Sequence, residues 1–209
     1  MGYTTYFDGK ITTKQTISDE IRNYLERFMV IRHMKRDNQK IREVYPDWKE
    51  HCLNGKLGID GEFFATPELL PEEYAVKSFF GGMKNWKGED APEGYLFNPV
   101  GQDSDVSVTD KNTPGGSCPG LWCQWRLDGS DIVWDGGEKF YNYVEWLDWL
   151  IRFVFDPANI KFNGRIYWQG EEINDYGIID VEDNKIDITY QYAGIREEDE
   201  EYIEIEEEE

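Results

Sequence analysis

The stretch that decides the fold begins Gly120-Leu-Trp-Cys-Gln-Trp-Arg-Leu127 and turns at Asp128-Gly129-Ser130. It resumes as Ile132-Val-Trp-Asp-Gly-Gly-Glu-Lys-Phe-Tyr141 and ends Asn142-Tyr-Val-Glu-Trp-Leu-Asp-Trp-Leu-Ile-Arg-Phe-Val-Phe155. Two short apolar runs on either side of Asp-Gly-Ser read as strand, tight turn and strand. After them Val144, Leu147, Leu150 or Ile151 and Val154 recur at helical spacing, Asn142 and Glu145 fit a capping box, and Pro157 lies beyond the end. A hairpin that runs directly into an amphipathic helix must bury the helix stripe against one face of its own sheet.

Downstream the pattern continues in strands: near Arg165 to Gln169 after Asn163-Gly164, near Gly177 to Val181, and near Lys185 to Tyr190 after Asp183-Asn184. Connections this short require antiparallel neighbours. Upstream, Tyr3 to Thr13 alternates and carries Asp8-Gly9, which predicts an opening strand pair. Thr16 or Ser18 caps a helix in which Ile17, Ile21, Leu25, Phe28 and Ile31 recur, extending to about Lys35. Asp37 caps a shorter helix with Ile41 and Val44 or Tyr45, interrupted at Pro46, after which Trp48 and Cys52 resume an apolar face. From Gly55 to Gly120 the periodicity gives way to Gly, Pro and acidic residues, with room for a helical turn or two between Leu69 and Phe80; a loop of this length is often functional. The expected fold is therefore α+β: an antiparallel sheet with helices packed mainly on one face and a long irregular loop region in the middle. One domain over 1–196, with a loop-rich insertion at about 55–120, precedes an acidic tail at 197–209.

The 209 residues carry a net charge of −21, but ten of the 43 acids lie between Glu197 and Glu209, and the remaining 33 against 22 bases leave −11. The terminal run reads as a solvated tail, with Tyr202, Ile203 and Ile205 leaving room for an edge strand or docking peptide. A body at −11 repels nucleic acid and anionic membrane and is drawn to basic surfaces. No apolar run approaches the roughly 18 residues a membrane span needs. Cys52, Cys118 and Cys123 are odd in number and unevenly spaced, with no secretory apolar region at the start, so a cytoplasmic setting is expected, the host cytoplasm for a phage-encoded chain.

Several blocks together resemble a family of uncharacterised bacterial and bacteriophage proteins: Gly2-Tyr-Thr-Thr5; His33-Met-Lys-Arg-Asp37; Pro119-Gly-Leu-Trp-Cys-Gln-Trp125; Trp134-Asp-Gly-Gly-Glu-Lys-Phe-Tyr141 leading into Glu145-Trp-Leu147; Asn163 to Glu171; and Asp175 to Ile178. The resemblance covers most of the chain up to about Ile188. It departs at His33, where the family often has Arg, across Glu62 to Glu93, and in the Glu-rich tail. It implies no activity. What it implies is a small inhibitor or a host-interaction role.

Five of the eight tryptophans fall between Gly120 and Phe155, and this is where site candidates concentrate. In the turn Asp135-Gly-Gly-Glu138-Lys139 the glycines permit close backbone approach, and Asp135 with Glu138 suits an acid and base pair or hard-cation ligands; the plain alternative is a turn needing positive φ with an ion pair beside it. Trp122 and Trp125 point to opposite faces of a regular strand, so at most one joins the core directly. Trp146 and Trp149 lie on a flank of the helix stripe, available either for edge packing or for stacking on a partner, and Trp168 is placed to share their surface. Asp103 and Asp105 belong to an oxygen-rich loop that lacks the order of a helix-loop-helix calcium site. His51, Cys52, Cys118 and Cys123 lack paired zinc knuckles and read better as buried groups, so no metal and no cofactor are expected. The basic run Arg32, Lys35, Arg36, Lys40 and Arg42 is expected to pair with the acidic excess. No phosphate-cradling loop, dinucleotide fingerprint, Gly-x-Ser-x-Gly or His-Glu-x-x-His occurs.

These observations favour a non-catalytic acidic interaction protein of phage or mobile-element type that inhibits a host or immune factor. Its expected partner is a basic protein or a nucleic-acid-binding protein whose ligand it mimics, without direct contact to nucleic acid or membrane. The alternative is a small-molecule or nucleotide-binding protein or enzyme with a Trp and carboxylate cleft around Asp135 and Glu138. A third reading is a homo-oligomer with the Trp-rich flank as its interface.

Overall fold

The computed structural model describes residues 2–65 and 105–191. The expected turns between Leu69 and Phe80, the position of Asp103, and the acidic tail lie outside them. Six strands form one sheet: β1 (Tyr6–Thr12), β4 (Trp125–Asp128), β5 (Asp131–Trp134), β6 (Asn163–Gln169), β7 (Tyr176–Glu182) and β8 (Lys185–Gln191), in the spatial order β4-β5-β1-β6-β7-β8. Every neighbouring pair is antiparallel, so the α+β architecture expected from the short turns is the one found.

Strand β1 corrects one expectation. Asp8-Gly9 makes no hairpin; Tyr6–Thr12 is a single strand in the middle of the sheet, with Ile11 opposite Ile132 on one side and Gly9 opposite Ile166 on the other. Gly9 sits at φ 99, and a Cβ there would collide with the Arg165 carbonyl. Glycine serves a close approach of two strands here rather than a turn.

Helix α1 (Asp19–Phe28) begins where Ser18 accepts a hydrogen bond from the Ile21 N–H at 3.3 Å, with Asp19 and Glu20 in the first turn. It stops seven residues short of the expected Lys35, because Met34–Arg36 is a strand, β2, paired with β3 (Val108–Pro114) in the stretch that reads as loop. Asp37 caps α2 (Asn38–Val44) as expected, accepting from Gln39 N at 2.7 Å and Lys40 N at 3.2 Å.

Helix α3 (Tyr143–Leu150) continues as a π-turn through Ile151–Phe155. Its capping box does not form. Asn142 is left-handed at φ 57, and its side-chain nitrogen donates instead to the Pro119 carbonyl at 2.6 Å. The expected stripe of Leu147, Leu150, Ile151 and Val154 is buried, and so are both flanking indoles, with Trp146 at 0% and Trp149 at 2% exposure. The reason is a second cover: Phe28 of α1 stacks on Trp149 at 4.8 Å and 8°, and Phe63 closes on it from the other lobe at 5.6 Å.

The sheet is thereby two-faced. Trp125, Ile132, Ile11, Ile166, Trp168, Ile179 and Val181 face the helices in one continuous core, while the alternate residues of the same strands meet no helix among the described residues. Beside this body β2, β3 and α2 hold a smaller core of Ile41, Cys52, Leu57 and Phe64. At its centre lies a buried ion pair, Arg36 with Asp105; Arg36 also donates to Ser107 Oγ at 2.8 Å, and Tyr45 OH donates to Asp105 at 3.0 Å. Lys35 pairs with Asp60 at 3.4 Å, so two members of the basic run do pair internally.

Candidate functional site

The nine candidate residues that are described do not gather at one place. Trp125 is fully buried and donates its indole N–H to the Tyr143 carbonyl at 2.8 Å. Trp149 donates to Ser117 Oγ at 3.0 Å, and Trp168, 4% exposed, lies on the helix side of the sheet against Tyr143 and Tyr190. Trp146 packs on His33 at 4.8 Å between ring centroids. Asp105 is committed to Arg36, and Asp103 lies outside the described residues.

The Asp135 turn is held locally. Asp135 Oδ1 accepts from the Gly137 N–H at 2.7 Å, and Gln124 donates to the Glu138 carbonyl at 2.9 Å. Neighbouring atoms that strip water from the Asp135 carboxylate push its pKa up, and the Gly137 N–H opposes them. No hydrogen bond joins the two carboxylates among the described residues. The sulfur and imidazole set is dispersed too: His51 sits between Arg27 at 2.6 Å and Asp47 at 3.0 Å. Burial pushes the Cys52 and Cys123 thiols up to about 12, and no cluster of His, Cys, Asp or Glu among the described residues is arranged to hold a metal ion.

Two surfaces among the described residues stand out. The first is the uncovered face of the sheet. Because side chains alternate along a strand, the residues between the buried ones, Tyr6 and Asp8 on β1, Tyr167 and Gln169 on β6, and Tyr176 and Ile178 on β7, meet over a shallow hollow of about 330 Å³. Register places Asp8 opposite Tyr167 and Gln169 opposite Tyr176. Tyr6 is 59% and Tyr167 48% exposed. Two cations of this face are matched, Lys10 to Asp131 at 2.6 Å and Arg165 to Asp180 through two hydrogen bonds at 2.6 and 3.1 Å, and register places Arg126 and Lys185 on it as well. Asp8, Asp128 and Asp187 have no basic partner among the described residues, and Asp187 lies directly opposite Asp180. None of these tyrosines was among the sequence candidates; the signal was their parity, opposite on each strand to that of the buried residues Ile11, Ile166 and Ile179.

The second surface is a groove of about 380 Å³ between the segment leading into β4 and the loop before α3. It gathers two of the ten candidates, Trp122 and Lys139, with Tyr141, Asn112, Asn142 and an apolar floor of Pro114, Pro119 and Leu121. Lys139 at φ 61 and Asn142 at φ 57 are both left-handed without being glycine, and they bracket Tyr141, which is 53% exposed. Residues in this region cost of order 1 kcal/mol each and persist where surrounding contacts hold them; Asn142 is held by Pro119, and the stem of Lys139 lies against the bare Cα of Gly2. The chain matches no family model, no curated protein and no solved structure.

Proposed function

We propose that this chain is a non-catalytic acidic interaction protein, of the kind carried by phages and other mobile elements. In this reading it binds and inhibits a basic host or immune factor in the host cytoplasm and occupies the surface on which that factor would hold nucleic acid. The observation that supports the reading is the sheet face that no described helix covers, where Tyr6 and Tyr167 stand exposed among Asp8, Asp128 and Asp187 while Lys10 and Arg165 are held in ion pairs. Tyrosine supplies rigid contact area with a polar tip, and unpaired carboxylates around it select a cationic partner and speed encounter. Strand rise and spacing give the face roughly 24 by 24 Å, a footprint comparable to a standard protein interface. The net charge of −21 adds long-range attraction in the same direction.

The test is affinity capture of a host protein, its identification, and titration of the purified pair. Binding is expected to weaken steeply with salt, to be competed by double-stranded DNA, and to fall at least tenfold in a Tyr6→Ala, Tyr167→Ala variant. A partner held unchanged at about 1 M salt, or one indifferent to both tyrosines, would sink the reading.

A further inference from the structure

We infer that the groove between Trp122 and Tyr141 is a binding site for a small monocarboxylate carrying a flat ring, separate from the sheet face. Trp122 carries the argument. It is 37% exposed, and its indole neither stacks on another ring nor hydrogen-bonds among the described residues. Trp125, Trp134 and Trp149, by contrast, each donate a hydrogen bond. An exposed indole costs solvation free energy that a stacked ring recovers.

The groups around it set the ligand's polarity, since the open ones are chiefly donors. Lys139 has no carboxylate partner among the described residues. Tyr141 accepts from the Tyr3 N–H at 3.2 Å, which leaves its own hydroxyl proton to give. At the groove's end, a side chain on Gly120 would come within 3.3 Å of Asn142 Nδ2 and 3.4 Å of Trp146 Nε1. Trp146 Nε1 is a buried donor with no partner. Asn142 spends one of its two amide hydrogens on Pro119. The bare glycine therefore leaves the Asn142 and Trp146 nitrogens close to where a Cβ would sit, with Asn142 and the unmatched ammonium of Lys139 both lining the groove.

Donors without acceptors call for an oxyanion. One ammonium balances one negative charge, whereas a phosphate dianion would meet the field of a −21 chain twice over. The apolar floor and two aromatic side chains suit a flat ring behind the carboxylate.

Phenylacetate is the probe, followed by the indole N–H resonances of the ¹⁵N-labelled full chain, with the Trp122 signal identified by its loss in Trp122→Phe. Saturable movement of that signal at millimolar phenylacetate is expected, with binding roughly tenfold weaker in Lys139→Gln, retained in Lys139→Arg, and weakened in Gly120→Ala. Phenylacetamide, the neutral isostere, should not bind. No saturable shift of the Trp122 signal, equal binding of the amide, or tighter binding of adenosine monophosphate or glucuronate than of phenylacetate would each overturn the assignment. Spectra of the variants that match the parent away from the groove separate lost binding from lost folding.

Discussion

The two cores of this chain are built on opposite principles. Between the sheet and helices α1 and α3 the interior is dry and aromatic, with Phe28, Trp146, Trp149 and Trp125 filling space and few polar atoms among them. Beside it, the β2, β3 and α2 lobe keeps few large apolar side chains and places a guanidinium and a carboxylate at its centre, each under 3% exposed. The first core is specified by shape and tolerates loss of volume poorly. The second is specified by pairing, and its charges resist being separated more than they resist being replaced.

Removing one large piece from either core should give the largest effects. Trp146→Ala, which leaves a void beneath Phe28 and His33, is expected to cost about 3–5 kcal/mol in denaturant unfolding, and Asp105→Ala, which strands a buried guanidinium, about 3–5 kcal/mol as well. The two then part. Replacing the pair together, Arg36→Met with Asp105→Leu, should restore stability to parental or raise it by about 1–4 kcal/mol, whereas no such rescue awaits the indole. A double variant as unstable as Asp105→Ala alone would show that the lobe depends on the charges themselves.

The third effect, which depends on pH, sits where the two cores touch. His33 packs at a tilt on Phe28, with ring centroids 4.1 Å apart, and burial, with the charge of Arg36 second, lowers its pKa to about 3. The unfolded chain takes up that proton near 6.5 while the native chain does not, so stability is complete above about pH 6.5 and falls as pH drops toward 3. The slope from this residue is at most about 1.4 kcal/mol per pH unit. His33→Leu should flatten the stability profile between pH 6 and 4; an unchanged slope would mean that other groups set it.

The same division explains what could be read from the sequence. Strands β6 to β8 were legible because alternation and the Asn163-Gly164 and Asp183-Asn184 turns are local signals, and the caps at Ser18 and Asp37 are local too. Strand β3 was not, since Thr109, Asp110, Lys111 and Asn112 show no alternation, and its partner lies some seventy residues upstream. Asp105 reads as one more loop carboxylate until Arg36 is placed against it. Trp146 and Trp149 fall on the flank of a single stripe, and only a cover supplied by Phe28 and Phe63, far off in the chain, turns that flank into interior. Of the candidate site, Trp122 and Lys139 were named from their surroundings in sequence, while Tyr141 and the sheet-face tyrosines needed the register.

Strand β1 precedes the other strands of its sheet in chain order yet lies at the middle of it, with Ile11 against Ile132 and Tyr6 against Gln169. At about 5–20 residues per second of synthesis, its second neighbour emerges roughly ten to thirty seconds after it does. Both edges of Tyr6–Thr12 are bare until β5 emerges and one stays bare until β6 does, so the chain's exposure to misassembly and to chaperones lasts until β6 arrives.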